Sequence, residues 1–140
     1  MSIFVSDRMR LAIAAIALAM AGCGASSSAG TAAPLAAVTA TDADNGGTVT
    51  VAQGGRLTVT LNSTYWTIAG ASNAAVLREV GQPVAVQGSC PPGVGCGHVT
   101  ATFAAVGRGR ADVTATRASC GEALSCTGGS GRYRVSVVVG

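Results

Sequence analysis

Two kinds of hydrophobic pattern divide the chain. Residues 11–20 (LAIAAIALAM) form an unbroken apolar run, whereas from residue 37 onward apolar and polar residues tend to alternate. A period of two is the spacing of a strand that buries one face. The clearest case is residues 57–61, where Leu57, Val59 and Leu61 share one face and Thr58 and Thr60 the other. Residues 48–51 (TVTV) repeat the pattern, and a turn at Gly54-Gly55 separates the two. In residues 98–103, Val99, Ala101 and Phe103 fall together. In residues 111–116, Ala111, Val113 and Ala115 oppose Asp112, Thr114 and Thr116. Near the end of the chain, Tyr133, Val135, Val137 and Val139 share a face. Weaker strands are expected at residues 66–69, 76–80 and 84–87, with a helical turn as the alternative over 73–79.

Seven or eight short strands punctuated by glycine-rich turns predict an all-β, immunoglobulin-like β-sandwich over residues 37–140. Its inward positions are mostly Val, Leu and Ala. Only Tyr65, Trp66, Phe103 and Tyr133 add aromatic bulk beyond the N-terminal segment. Such a thin core gains from extra constraint.

The apolar run at 11–20 follows a short segment carrying Arg8 and Arg10, and it ends in Met20-Ala21-Gly22-Cys23. Ten residues are too few to cross about 30 Å of hydrocarbon as a helix, and they match the apolar part of a secretion signal. Small residues before a cysteine resemble the bacterial lipobox. The resemblance implies cleavage after residue 22, a thioether-linked lipid on Cys23 and acylation of the new amino terminus. The alternative is an ordinary signal peptide cleaved near Ala21, leaving Cys23 free. Several acyl chains, at about 0.8 kcal/mol per buried CH₂, hold a protein at a membrane where one chain is marginal. The expectation is export and anchoring on the outer face of the cell membrane. Residues 23–36 are then a lipidated cysteine and a tether whose Ser, Gly and Ala cannot bury enough surface to order themselves.

Removing 22 residues leaves 118, enough for one domain. That part carries seven Arg against five acids and no Lys, so the net charge is small. Such a field gives no argument for nucleic acid. Five cysteines cannot all pair, and lipidation of Cys23 leaves four. Cys90 and Cys96 enclose five residues, as do Cys120 and Cys126. Three pairings are open; the two local ones are favoured because each loop can turn back on itself. The spacing is not the CxxC of zinc sites, so no metal is expected, and nothing points to another cofactor.

Catalytic chemistry finds little support. His98 is the only histidine, no GxSxG context surrounds a serine, and without lysine no phosphate-binding loop of the GxxxxGK type exists. The chain is therefore expected not to be an enzyme. Residues 62–66 (NSTYW) are more informative. Tyr65 and Trp66 are either exposed binding anchors, or Trp66 is the buried tryptophan of a sandwich with Tyr65 at the rim. Arg108, Arg110, Arg117, Arg132 and Arg134 crowd the C-terminal third. They form either a surface for anionic lipid or wall polymer, or a solvated face that blunts edge pairing.

Three loops together resemble those of chagasin-like inhibitors of papain-type cysteine proteases. In that family a first loop reads Asn-Pro-Thr-Thr-Gly-Tyr-x-Trp. Residues 62–66 keep Asn, Thr, Tyr and Trp and lack the Pro and Gly. A second family loop reads Gly-x-Gly-Gly, and here Gly93-Val94-Gly95-Cys96-Gly97 precedes a strand. A third carries Arg-Pro-Trp; here Arg117 is followed by Ala118-Ser119. The chain is also similar to actinobacterial lipoproteins that carry Ser-Thr-Tyr-Trp and Ser-Cys-Gly-Glu-Ala in these loops, at residues 63–66 and 119–123 here. The resemblance implies a non-enzymatic sandwich presenting three loops to a protease cleft. Its contact residues would be Thr64, Tyr65 and Trp66, then Gly93, Val94, Gly95 and Gly97, then Glu122. The competing expectation is a cell-envelope accessory lipoprotein whose loops bind a partner protein or wall polymer.

Overall fold

The computed structural model describes residues 35–121 and 123–140. The export signal, Cys23 and nearly all of the tether lie outside the described residues, as does Glu122. Alternation becomes strand where it was clearest. In β3 (Arg56–Asn62), Leu57, Val59 and Leu61 are fully buried. In β7 (Gly97–Ala105), Val99, Ala101, Phe103 and Ala105 point inward. In β8 (Gly109–Thr116) the inward set is Ala111, Val113 and Ala115. In β9 (Arg132–Val139) it is Tyr133, Val135, Val137 and Val139. The remaining strands are short: β1 (Ala37–Ala40), β2 (Thr48–Val51), β4 (Thr67–Ala71), β5 (Leu77–Glu79) and β6 (Val84–Gln87).

They form two sheets. One runs β1-β3-β7-β5, with β6 also paired to β7, and the other runs β2-β9-β8-β4. Most pairings are antiparallel, but β1 joins β3 and β2 joins β9 in parallel. The inward faces of both sheets supply one core with Phe103 as its largest fully buried side chain. The result is the expected sandwich, with nine strands among the described residues instead of seven or eight. The extra strand is β1, a four-residue AVTA segment of which only Ala40 is buried. Its pairing is made by register with β3 (Ala37 opposite Arg56), not by its own hydrophobic pattern.

The ambiguity over residues 73–79 resolves into both alternatives in succession. Asn73 accepts at its side chain from the Ala75 amide (3.0 Å), and its carbonyl accepts from Leu77 N (2.9 Å). That turn delivers Leu77 into β5. β5 and β6 occupy successive stretches of the same edge of β7, interrupted around Gly81-Gln82-Pro83. The break denies the sheet one long open edge. Arg132 and Arg134 are on a solvated face as expected, but β9 is no edge strand, since it lies between β2 and β8. Arg134 instead pairs with Asp112 across the sheet (2.6 Å), and Ser136 donates to the same carboxylate (2.6 Å). The Ser136 hydroxyl, then the Arg134 guanidinium, hold the Asp112 carboxyl below the usual carboxylate range.

Candidate binding face

Strand direction decides where the loops go. The end of β3 lies beside the start of β7 (Asn62 opposite His98), and the end of β8 beside the start of β9 (Thr116 opposite Arg132). The start of β4 pairs with the end of β8 (Thr67 opposite Thr116). The loops β3–β4, β6–β7 and β8–β9 therefore emerge at one end of the sandwich. A 3-10 turn at Asp42–Asp44, closed by a capping box between Thr41 and Asp44, braces the same end. Asp42 accepts from the Asn62 amide (2.8 Å), where the first loop begins.

The first and second loops interlock. Ser63 N donates to the Gly97 carbonyl (2.8 Å) and Thr64 N to the Gly95 carbonyl (2.9 Å). Tyr65 lays its ring over Gly95, and its hydroxyl donates to the Gly93 carbonyl (2.8 Å). A Cβ on Gly95 would enter the Tyr65 ring, and one on Gly97 would enter the Val86 carbonyl; both residues have positive φ, +65° and +115°. Glycine is required at both by conformation and by space. Ser63 also sits at positive φ (+103°), a cost of order 1–3 kcal/mol that surrounding contacts must sustain. Strain of this kind collects at sites with a function.

The third loop closes the face. Disulfides join Cys90 to Cys96 and Cys120 to Cys126, the local pairings. Within the latter ring, Leu124 N donates to Gly121 O (2.7 Å) and Cys120 N to Leu124 O (2.9 Å). This tight hairpin holds Leu124 65% exposed. A Cβ on Gly121 would stand 3.9 Å from the Val94 carbonyl oxygen, so the third loop abuts the second.

Trp66 is 7% exposed and supports the face from beneath; of the two alternatives for residues 62–66, the buried tryptophan is the one observed. Its Nε1 donates to the Asn62 carbonyl (3.0 Å). The Arg117 guanidinium lies over it, 4.5 Å from the ring centroid, and Tyr133 meets it edge-on at 6.5 Å. This Arg–Trp–Tyr column ties β8 and β9 to the first loop. The stacking of Arg117 on Trp66 was not legible in the sequence, which marked Arg117 only as one of five crowded arginines and as the start of the third loop. The Tyr133 hydroxyl is buried with no hydrogen-bond partner among the described residues. Burial, and after it the charges of Asp44 and Asp42, push its pKa up to about 12. Tyr65 and Thr64 are half-buried, Gly93 is exposed and Val94, Gly95 and Gly97 are half-buried. His98, half-buried, lies in β7 between Asn62 and Val86. Among the described residues no three His, Cys, Asp or Glu side chains gather as metal ligands would.

No protein-family model matches the sequence, and no curated protein matches it. Solved structures do resemble it. The cysteine protease inhibitor EhICP2 from Entamoeba histolytica superposes with a TM-score of 0.51 at 9% identity, over 74% of this chain and 95% of that one. The fold is chagasin-like. Amebosin, solved in solution, superposes with a TM-score of 0.52 at 14% identity, over 75% of this chain and 99% of that one. At such identities the likeness concerns the fold.

Proposed function

We propose that the chain is an exported lipoprotein, held at the outer face of the cell membrane through Cys23, whose domain is a non-enzymatic inhibitor of papain-type cysteine proteases. The observation that carries this reading is the convergence of three cross-braced loops at one end of a chagasin-like sandwich. A binding surface gains affinity when its loops lose little freedom on association. Here Tyr65 fastens the first loop to the second, Gly121 abuts the second from the third, and two disulfide rings stiffen the tips. Leu124 supplies an exposed apolar contact on the most tightly closed loop. Support for the anchor is the sequence alone: a basic start, ten apolar residues and Ala-Gly-Cys at residues 21–23.

The test is inhibition of papain by the purified chain. Inhibition with a constant in the micromolar range or tighter is expected; no inhibition at high micromolar concentration would remove the protease reading. A second reading, a cell-envelope accessory protein that binds another partner, is favoured by one observation: the Tyr65 hydroxyl is tied to Gly93 instead of being presented outward. Recovery of an envelope protein that depends on Leu124, without papain inhibition, would select it.

A further inference from the structure

Behind the third loop is a cleft of about 300 Å³ lined by Thr116, Arg117, Ala118, Gly128, Gly131 and Arg132. Its two cations come from paired positions: Arg132 starts β9 directly across from Thr116, and Arg117 follows Thr116. Arg117 is held from two sides. Its plane rests on Trp66 at 4.5 Å, and its Nε donates to the Ser130 carbonyl (3.3 Å). Those contacts use the ring-facing surface and one of five N–H groups. Arg132 is exposed, and among the described residues neither arginine is paired with a carboxylate. The ion pair described in this sheet belongs to Arg134 and Asp112, on the solvated face. A guanidinium already stacked loses little freedom when it forms a second bond, and its fork matches the two oxygens of a carboxylate.

We propose that this cleft receives a carboxylate, an Asp or Glu side chain of the protein that docks on the loop end. Arg117 supplies the fixed fork and Arg132 the second, mobile charge. The cleft adjoins the disulfide ring that displays Leu124, so one partner segment can place an apolar side chain on Leu124 and an acid behind it. Only the identity of the partner as a protein rests on the reading under Proposed function; the anion site itself does not depend on protease inhibition.

Trp66 is the sole tryptophan of the chain, and Arg117 lies on its face. Its fluorescence therefore reports the cleft. The full chain, in neutral detergent micelles at low salt, is titrated with N-acetylglutamate amide and separately with inorganic phosphate. The expected result is a saturable change in Trp66 emission with the glutamate probe, at millimolar dissociation constants, weakened roughly three- to tenfold in Arg132→Gln. Added salt should weaken it further, because the cleft is solvent-open and exposed ion pairs are weakened by salt. Arg132→Gln is the decisive variant because Arg132 is exposed; Arg117→Gln, which also loses the stack on Trp66, is secondary. No response to the glutamate probe, or an equal response in Arg132→Gln, overturns the site. A response to phosphate alone overturns the carboxylate assignment in favour of a phosphate-bearing polymer. If the probe binds and papain is not inhibited, the cleft stands and the protease reading falls.

Discussion

Replacing Gly95 by alanine puts the interlock of the first two loops under direct stress. Gly95 has φ +65°, and a left-handed backbone costs an alanine about 1–2 kcal/mol. The new methyl group would also occupy the space of the Tyr65 ring. The ring must move, and its hydroxyl then leaves the Gly93 carbonyl, 2.8 Å away. That exposed hydrogen bond is worth about 0.5–1.5 kcal/mol. The sum is roughly 1.5–3.5 kcal/mol, or a fall of roughly 6–14 °C in melting temperature for a domain of this size. The assay is thermal unfolding of four proteins: the parent, Gly95→Ala, Tyr65→Ala and the double variant. Without the ring, Gly95→Ala should cost only its backbone strain, so the cycle should show a favourable coupling of about 1 kcal/mol. A neutral Gly95→Ala, or strict additivity in the double variant, would refute the packing of Tyr65 on Gly95.

Further expectations concern the core, the anchor and the third loop. Tyr133→Phe removes a buried hydroxyl that has no partner among the described residues, so it should leave stability at neutral pH unchanged or slightly raised, as calorimetry would show; a loss above about 1.5 kcal/mol would mean that the hydroxyl is bonded. The same residue sets an alkaline limit. Its folded pKa, about 12, lies above the ordinary 10, so the folded state holds the proton longer. Stability from this group is complete below pH 10 and is lost as pH rises from 10 through 12, by about 2–3 kcal/mol. Tyr133→Phe should lack that decline. Cys23→Ser should move the chain from the membrane fraction to the soluble fraction on cell fractionation; an unchanged membrane fraction would end the anchor proposal. Replacing both Cys120 and Cys126 by alanine should cost roughly 2 kcal/mol by loop entropy. It should weaken papain inhibition by more than tenfold, because Leu124 loses its closed hairpin.

Much of the fold was legible because its long strands advertise themselves. β3, β7, β8 and β9 alternate over seven to nine residues, and each buries the face its sequence marks. β1 was not legible: three of its four residues are Ala or Thr, and its stability comes from a parallel partner some twenty residues later. The capping box at Thr41–Asp44 carried a readable signal, a threonine with an aspartate three residues on, but nothing local ties it to the binding end. Of the three disulfide pairings left open by the sequence, the two local ones, favoured because each loop can turn back on itself, are those observed. The site was legible as three loops and no further. That Tyr65 packs on Gly95, thirty residues away, depends on the register of β3 against β7, and the placing of Trp66 beneath the surface depends on β4 pairing with β8. Arg117 could be read as one of a crowd of arginines or as a loop residue; β4–β8 pairing, with Thr67 opposite Thr116, brings it beside the indole. Spacing carries information about faces of an element, whereas these contacts arise between elements.

The loop end as the protease-binding face is best tested by hydrogen-exchange footprinting of the chain with papain whose active-site cysteine has been blocked by a small reagent. Protection is expected at residues 62–66, 88–97 and 117–131 together, and nowhere else. Protection centred on the opposite end, around Gln53, Ser72 and Val106, or on the outer face of either sheet, would contradict it.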